Sequence, residues 1–584
     1  MKKVQHLLIK ALLMASLFIL SAAPAYANEN ESEKGKHNMN VRQLISKMTM
    51  EEKVGQLVMS ITHRSYDDPD GMPDEQTEKL IKDYKVGSVI VYNKRNPTIM
   101  ANYSNQLQKW ASETRMSVPL LVSADLEYGV THNIKEGTTS FPREMGLGAS
   151  RNIADAKTVA AITSREAKAM GLNWNYSPVA DVNTNPNNPV IGVRSFGENT
   201  ELVSNMASTM VQTYQKTGMI ASAKHFPGHG DTDFDSHLGL ASVSYDRKTL
   251  EEVHLPPFQA AIDSGVESIM TSHVIIKAID PELPATLSPK VLTGLLRDEM
   301  GYNGIIVTDA MDMYAISKNW GAGEAAVMAI KAGADVIMST GAYADQVATY
   351  NALLAAVKSG AISKERLDQS VTRILKVKKK YKLFSKRFVN PDQAEAICGN
   401  PLHQAVAEKI GNDSITLVKN DGTLPIKRNQ NERYFLAGVT ETDVVGKQLK
   451  DGGVNVSSWQ SATANPAEAD IQKAIQLSET ADRLIALTYS QGVLPEGQKK
   501  LVEALRSTGK PVIVVSLGLP YDLIAFPSVN SYVTAYAIDR WKTRNQTAIS
   551  AAVNVLLGSQ PGGKLPVTIN EEYPYGHGLR YGNQ

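Results

Sequence analysis

The stretch "IASAKHFPGHG", residues 220–230, decides how this chain folds. It opens with small and apolar residues, as a strand covered on both faces does. It then turns polar at Lys224 and His225 and breaks into a Pro- and Gly-rich loop. Other stretches repeat the pattern: "VGSVIVYN", "PLLVSADLE", "NWNYSPVADV", "ESIMTSHVII", "NGIIVTDAMDM" and "GADVIMST". Between them lie Ala-, Lys- and Glu-rich segments such as "ADAKTVAAITSREAKAMG". Strand and helix in alternation predict a parallel sheet with crossover helices, and seven or eight such units predict a closed (β/α)8 TIM-type barrel. Polar residues collect where the runs end, at Asp125, Asp181, Lys224, His225, His273 and Asp309. In such barrels the C-terminal strand ends build the active site.

The chain's 584 residues exceed what one core organises. After "VKKKYKLFSKRFVNPDQ" the alternation restarts with "DSITLVKNDGTLPI", "RYFLAGV", "DRLIALTYS", "KPVIVVSLGLP" and "SYVTAYA". A C-terminal α/β layered sandwich domain is expected from these runs. The expected organisation is a barrel over 41–385, a linker over 386–410 and the second domain over 411–584.

The N-terminus differs in kind. Lys2, Lys3 and Lys10 precede or enter an apolar run, and Ala25-Tyr26-Ala27 has the small-x-small form of a cleavage site. Residues 1–27 therefore read as a signal peptide of bacterial type, followed by a flexible mature N-terminus over 28–40. Export to the extracellular space or cell wall is expected, with no stable membrane anchor, because the apolar run is short for a span. The net charge of +1 gives no reason to expect nucleic acid as a partner. Cys398 is the single cysteine, so no intramolecular disulfide forms and an incidental buried thiol is expected.

The densest chemistry lies in "KHFPGHGDTDFDSHLGL", residues 224–240. Asp231, Asp233 and Asp235 have the spacing that begins an EF-hand loop, but Ser236 and Ser242 stand where that loop needs glycine and glutamate. His225, His229 and His237 beside aspartates offer metal ligands, yet no established zinc spacing such as H-E-x-x-H occurs, and no metal is expected. Acid/base work remains. In "DSH", Asp235 can accept the proton of one imidazole nitrogen of His237, fix its tautomer and stabilise the imidazolium. Gly228 and Gly230 would let this loop close over a substrate. Asp309, at the end of the apolar run in "VTDAMDM", would face the barrel mouth and could attack a sugar's anomeric carbon. Asp312, three residues later, competes for that role and is the weaker choice.

Together "KHFPGHGDTDFDSH", "DVNTNPNNPVIGVRSFG" and "VTDAMDM" resemble the exo-β-N-acetylglucosaminidases of glycoside hydrolase family three. The likeness runs from about residue 40 to the C-terminus, where "ITLVKNDGTLPI", "GGKLPVTI" and "PYGHGLRYG" resemble the ends of that family's second domain. The resemblance implies Asp309 as nucleophile, His237 as general acid/base and Asp235 as its dyad partner. It implies Lys224, His225 and Arg194 as sugar contacts and Asp125 as the carboxylate holding the non-reducing hydroxyls. One segment departs: the family's D-x-E-G-G-R-V-x-R reads "DLEYGVTHN" here, with Tyr128, Val130 and Asn133 replacing a glycine and two arginines.

The activity so implied is a retaining, exo-acting β-N-acetylglucosaminidase that needs neither metal nor cofactor. Its expected partners are carbohydrates: peptidoglycan fragments (GlcNAc joined to MurNAc) or other GlcNAc-terminated glycans. A monomer is expected. The alternatives are a family-three β-glucosidase, a GlcNAc phosphorylase, a metal-dependent hydrolase and an inactive wall-binding protein. Because family β-glucosidases take their acid/base from the second domain, the histidine loop implies a C-terminal domain without catalytic duty. That domain is expected to be structural or to dock polymer.

Overall fold

The computed structural model describes residues 39–62, 68, 70–428 and 431–582; the expected signal peptide and residues 28–38 lie outside them. Ten strands precede residue 340: β1 (Val58–Ile61), β2 (Ser88–Ile90), β3 (Leu121–Ala124), β4 (Trp174–Asn175), β5 (Ile220–Phe226), β6 (Ala241–Val243), β7 (Ser268–Thr271), β8 (Val274–Ile276), β9 (Ile305–Val307) and β10 (Ile337–Ser339). Eight form one all-parallel sheet in the order β10-β1-β2-β3-β4-β5-β7-β9. A bridge between Val307 and Val336 and the Thr308 N–H bond to the Val336 carbonyl (3.0 Å) join its two edges. The expected barrel is thus present. β6 and β8 pair separately, in parallel, outside it.

The strands are short and buried on both faces, so their sequences are continuous apolar runs rather than alternating ones. The crossover helices begin where the sequence supplies caps: Asn96, Asn199 and Ser363 each accept the N–H three residues on. At the N-terminal side of β10, Asp335 is fully buried. Its carboxylate binds Arg297 (2.6 Å), Arg373 (3.1 Å), Ser370 (2.6 Å) and the Ile306 N–H (3.0 Å), which ties the closing strands to the helix Lys364–Lys380.

Residues expected as linker contain two helices, Pro391–Ile397 and Pro401–Ser414, each started by an Asn-Pro pair. Six further strands follow: β11 (Thr416–Asn420), β12 (Arg433–Gly438), β13 (Asn455–Gln460), β14 (Arg483–Thr488), β15 (Val512–Ser516) and β16 (Ser531–Thr534). Their order is β11-β16-β15-β14-β12-β13, with β11 antiparallel and the rest parallel. Leu484, Ala486, Val512 and Val514 pack on one face, while Ile485, Leu487, Ile513 and Val515 pack on the other. A period of two with both sets apolar describes a sheet covered by helices on each side, the expected layered sandwich.

Val41–Gln584 clusters as one unit, with the sandwich seated on the barrel. Met145, Ala149 and Val193 share an apolar cluster with Leu519, Tyr536 and Val567. Beside it Arg143, fully buried, donates to the Thr543 carbonyl (2.7 Å) and pairs with buried Asp539 (3.0 Å). Removing one partner of such a pair costs about 3–5 kcal/mol, because the other charge is left uncompensated in a dry place.

Candidate active site

A cavity of about 520 Å³ opens at the C-terminal ends of the barrel strands. Asp125, Arg194, Lys224, His225, His237 and Asp309 all line it. Asp235 does not face the cavity but stands behind His237, its side chain 6% exposed.

One wall is a buried charge network. Lys224, at the end of β5, donates to Asp125 (2.6 Å) and Glu127 (2.7 Å) just beyond β3. Glu127 also receives Arg194 in a fork, Nε at 3.0 Å and Nη2 at 2.7 Å. Burial pushes the Glu127 carboxyl up, but Arg194 and Lys224 outweigh it and hold it well below the usual range. Burial likewise pushes the Lys224 ammonium down, and Asp125 and Glu127 raise it above its ordinary value. Glu127 and Lys224 are therefore both charged at neutral pH. Asp181, fully buried, takes His225 Nδ1 at 2.7 Å and the His229 N–H at 2.7 Å. It so directs Nε2 of His225 toward the cavity side, 3.4 Å from Arg194.

The floor is Asp309, two residues beyond β9. Burial raises its carboxyl, but nearby His225 and His273 and the Ala310 N–H (2.7 Å) bring it below the usual carboxylate range. Such a group is ionised and available as a nucleophile. Asp312 also lines the cavity but accepts the Thr340 hydroxyl from an exposed turn. His273 is fixed by Thr286 (2.8 Å) and the Ala310 carbonyl (2.9 Å), and burial pushes its imidazole below the ordinary range.

The third part is the loop after β5. Gly228 takes φ +133°, and a Cβ on Gly230 would fall 1.8 Å from the Val182 carbonyl oxygen. Gly230 is thus required by a close backbone approach rather than by a freedom to move. His229 bonds Thr232 (2.8 Å) and Ser236 (2.9 Å), and burial pushes it down to about 4, so it is a neutral brace inside the loop. Asp235 Oδ1 accepts both the backbone N–H and Nδ1 of His237, each at 2.9 Å. Burial raises the Asp235 carboxyl, yet these bonds and the charge of Arg540 bring it down to about 2. With Nδ1 held, Nε2 of His237 is the nitrogen left for substrate.

Arg540, Trp541 and Thr543 come from the C-terminal domain. Trp541 and Thr543 line the cavity, Trp541 meets the His237 ring edge-on at 5.6 Å, and Arg540 pairs with Asp235. The second domain, for which no catalytic duty is expected, therefore reaches the site. No sequence signal marks "DRWKT" for this position, some 300 residues after the histidine loop. Glu127 was findable, since D-x-E spacing puts it beside Asp125. The departing segment divides: Tyr128 packs under Arg143 (4.3 Å) and Val130 is buried, neither facing the cavity, while Asn133 does line it and donates to the Asp125 carbonyl (2.8 Å).

A barrel mouth with an ionised carboxylate, a carboxylate–histidine pair and a bed of charged hydrogen-bonding groups is the site of a glycoside hydrolase. The chain belongs to glycosyl hydrolase family 3: the family's N-terminal domain matches residues 49–377 and its C-terminal domain residues 415–581. It is 31% identical over 551 residues to β-hexosaminidase A of Pseudoalteromonas piscicida, covering 85% of this chain and 92% of that one. It is 32% identical over 455 residues to a β-N-acetylglucosaminidase/β-glucosidase of Cellulomonas fimi, covering 76% and 75%. The structure of a family 3 β-N-acetylglucosaminidase from Paenibacillus sp. superposes with a TM-score of 0.80 at 35% identity, covering 90% of this chain and 99% of that one. Among the described residues no helix is long and apolar enough to cross a membrane.

Proposed function

We propose that this protein is an exported, retaining exo-β-N-acetylglucosaminidase that releases terminal GlcNAc from peptidoglycan fragments or related β-linked glycans. The observation that carries the reading is Asp309 on the floor of a cavity that is also lined by His237, with Asp235 bonded to that imidazole from behind.

In the first step an Asp309 carboxylate oxygen bonds the anomeric carbon as its bond to the leaving oxygen breaks. The proton on His237 Nε2 passes to that oxygen, and Asp235 steadies the imidazole through Nδ1. In the second step water gives its proton to His237, its oxygen bonds the anomeric carbon, and Asp309 leaves. Two inversions retain the β configuration. Asp125, Lys224, Arg194 and His225 hold the sugar's hydroxyls on the buried wall. None of these steps draws on a metal or cofactor.

A basic histidine carries no negative charge to repel an anionic glycan, which supports carboxylate-bearing MurNAc as a leaving sugar. The apolar leader ending in Ala25-Tyr26-Ala27 supports export. A β-glucosidase activity is the second reading, favoured by the named dual activity of the Cellulomonas fimi relative and by Asn133 in the cavity wall. Turnover of matched 4-nitrophenyl β-GlcNAc and β-glucose decides between them. The proposal expects release from GlcNAc, and a collapse of about 10²–10⁴-fold in His237→Gly. Equal glucose turnover that survives the substitution would overturn it. Running the same assay in phosphate, with detection of GlcNAc-1-phosphate, tests phosphate as acceptor.

A further inference from the structure

We infer that the turn Asp539–Thr543 of the C-terminal domain is a working part of the catalytic centre, with Arg540 the positioning residue that fixes the Asp235–His237 pair. The inference rests on the proposed acid/base role of His237.

The turn is rigid for local reasons. Asp539 Oδ1 accepts the N–H groups of Trp541 (3.0 Å) and Thr543 (2.9 Å), while Oδ2 is 3.0 Å from Arg143 of the barrel. An antiparallel bridge between Ile538 and Arg544 closes its base. Arg540 therefore projects from a fixed support, its side chain 19% exposed.

The loop bearing the dyad has weaker support. Its first half is tied down by Thr184 to Asp231 (2.8 Å) and Asn188 to the His229 carbonyl (2.8 Å). From Ser236 on it rests on the His229 brace, the Ala315 N–H bond to the Ser236 carbonyl (3.3 Å) and Lys318 to the Leu238 carbonyl (3.3 Å). Phe234 and Leu238 are exposed. Arg540 supplies the missing constraint. The two oxygens of Asp235 are divided, Oδ1 to His237 and Oδ2 to the guanidinium. Arg540 Nη1 also lies 3.3 Å from His237 Nδ1, but a guanidinium only donates, so with Nδ1–H committed to Asp235 its hydrogen bond goes to the carboxylate. Without Arg540 the carboxylate would turn about its own torsions and the imidazole with it.

Arg540 also sets the electrostatics. The charged and titratable groups facing His237 are Asp235 on its own loop, Arg540 from the second domain, Asp309 beyond β9 and His273 beyond β7. Removing the one permanent cation among them favours the imidazolium. Since glycosyl transfer needs His237 protonated, the basic limb of kcat/KM moves to higher pH.

The test uses the full mature chain and two substrates that differ only in leaving group. Departure of 2,4-dinitrophenolate from its β-GlcNAc needs no proton, whereas the sugar alkoxide of chitobiose does. Arg540→Gln is expected to lower kcat/KM by about 10- to 100-fold on chitobiose and by less than about 3-fold on the dinitrophenyl glycoside. Arg540→Lys recovers part of the loss, and Arg540→Gln shifts the basic limb upward. An equal loss on both substrates, or no loss, overturns the inference. His237→Gly is the reference: if it discriminates between the leaving groups and Arg540→Gln does not, Arg540 alone fails. If His237→Gly does not discriminate, the acid/base reading itself falls, and the inference with it.

Discussion

The two sides of the cavity are built by different means. On the side of the buried charge network, Asp125, Glu127, Lys224 and Arg194 lock one another within a single domain, the first three on or just beyond barrel strands and Arg194 on a short helical turn. On the opposite side, His237 sits on a loop without regular structure, and its partner Asp235 pairs with Arg540 from another domain. The first wall is preorganised by burial: its opposite charges pair with one another, so their positions are fixed before a ligand arrives. The second depends on how two domains are docked. The two walls are thus stabilised separately, and substitutions should separate the recognition and proton transfer proposed for them.

The largest effect is expected at the floor, where both sides meet. Asp309→Asn removes the proposed nucleophile, and kcat for 4-nitrophenyl β-GlcNAc should fall about 10⁴-fold or more with folding intact. A fall under tenfold would mean that Asp312 carries the attack. Asp539→Ala comes next. It uncouples the turn from Arg143 and loses two backbone bonds, so thermal unfolding should show a loss of about 3–5 kcal/mol, together with the leaving-group dependence expected of Arg540→Gln. A stable variant with full activity on chitobiose would erase the distinction between the two walls. Glu127→Gln strikes the other side alone. It keeps the shape but removes the charge facing Lys224 and Arg194. We expect kcat/KM to fall about 10²-fold on both leaving groups alike, without a shift in the basic limb.

The same contrast explains what the sequence disclosed. The barrel was legible because strands covered on both faces must be continuous apolar runs, and each announced its end with a polar residue such as Lys224 or Asp309. Asp125 and Lys224 of the charged wall were legible for the same reason, since they stand at strand ends, whereas Arg194 lies on a short helical turn well after β4. Asp235 and His237 were legible because their contact is local, two residues apart. Arg540 was not. Its role arises from docking across some 300 residues of chain, and a lone arginine before a tryptophan has no period or motif to mark it. Gly230 was legible as a glycine but not for its cause, which is the nearness of the Val182 carbonyl. Tyr128 stood out as a departure from the family pattern, yet its ring lies under Arg143 in the core rather than in the cavity.

The smallest expected effect is on stability in acid, and it tests whether Arg540 and His237 truly hold Asp235. An aspartate whose folded-state pKa lies at about 2, against an ordinary value near 3.8, favours the folded state once ionised. That contribution is complete above about pH 4 and is lost as the pH falls from 4 toward 2. Asp235→Asn keeps the shape and cannot titrate. The gap in urea midpoint between wild type and this variant should therefore stay constant from pH 5 down to about pH 4 and narrow only below it. Other acid-sensitive carboxylates, such as Asp335 among its arginines, titrate in both proteins and cancel from the difference. In an Arg540→Gln background one of the charges holding Asp235 down is gone, so the narrowing should still begin near pH 4 but be smaller and reach its end at a higher pH. A gap that closes at the same pH in both backgrounds would mean that the guanidinium touches the carboxylate without holding it, and the loop would then owe its order to the His229 brace and its bonds to the barrel.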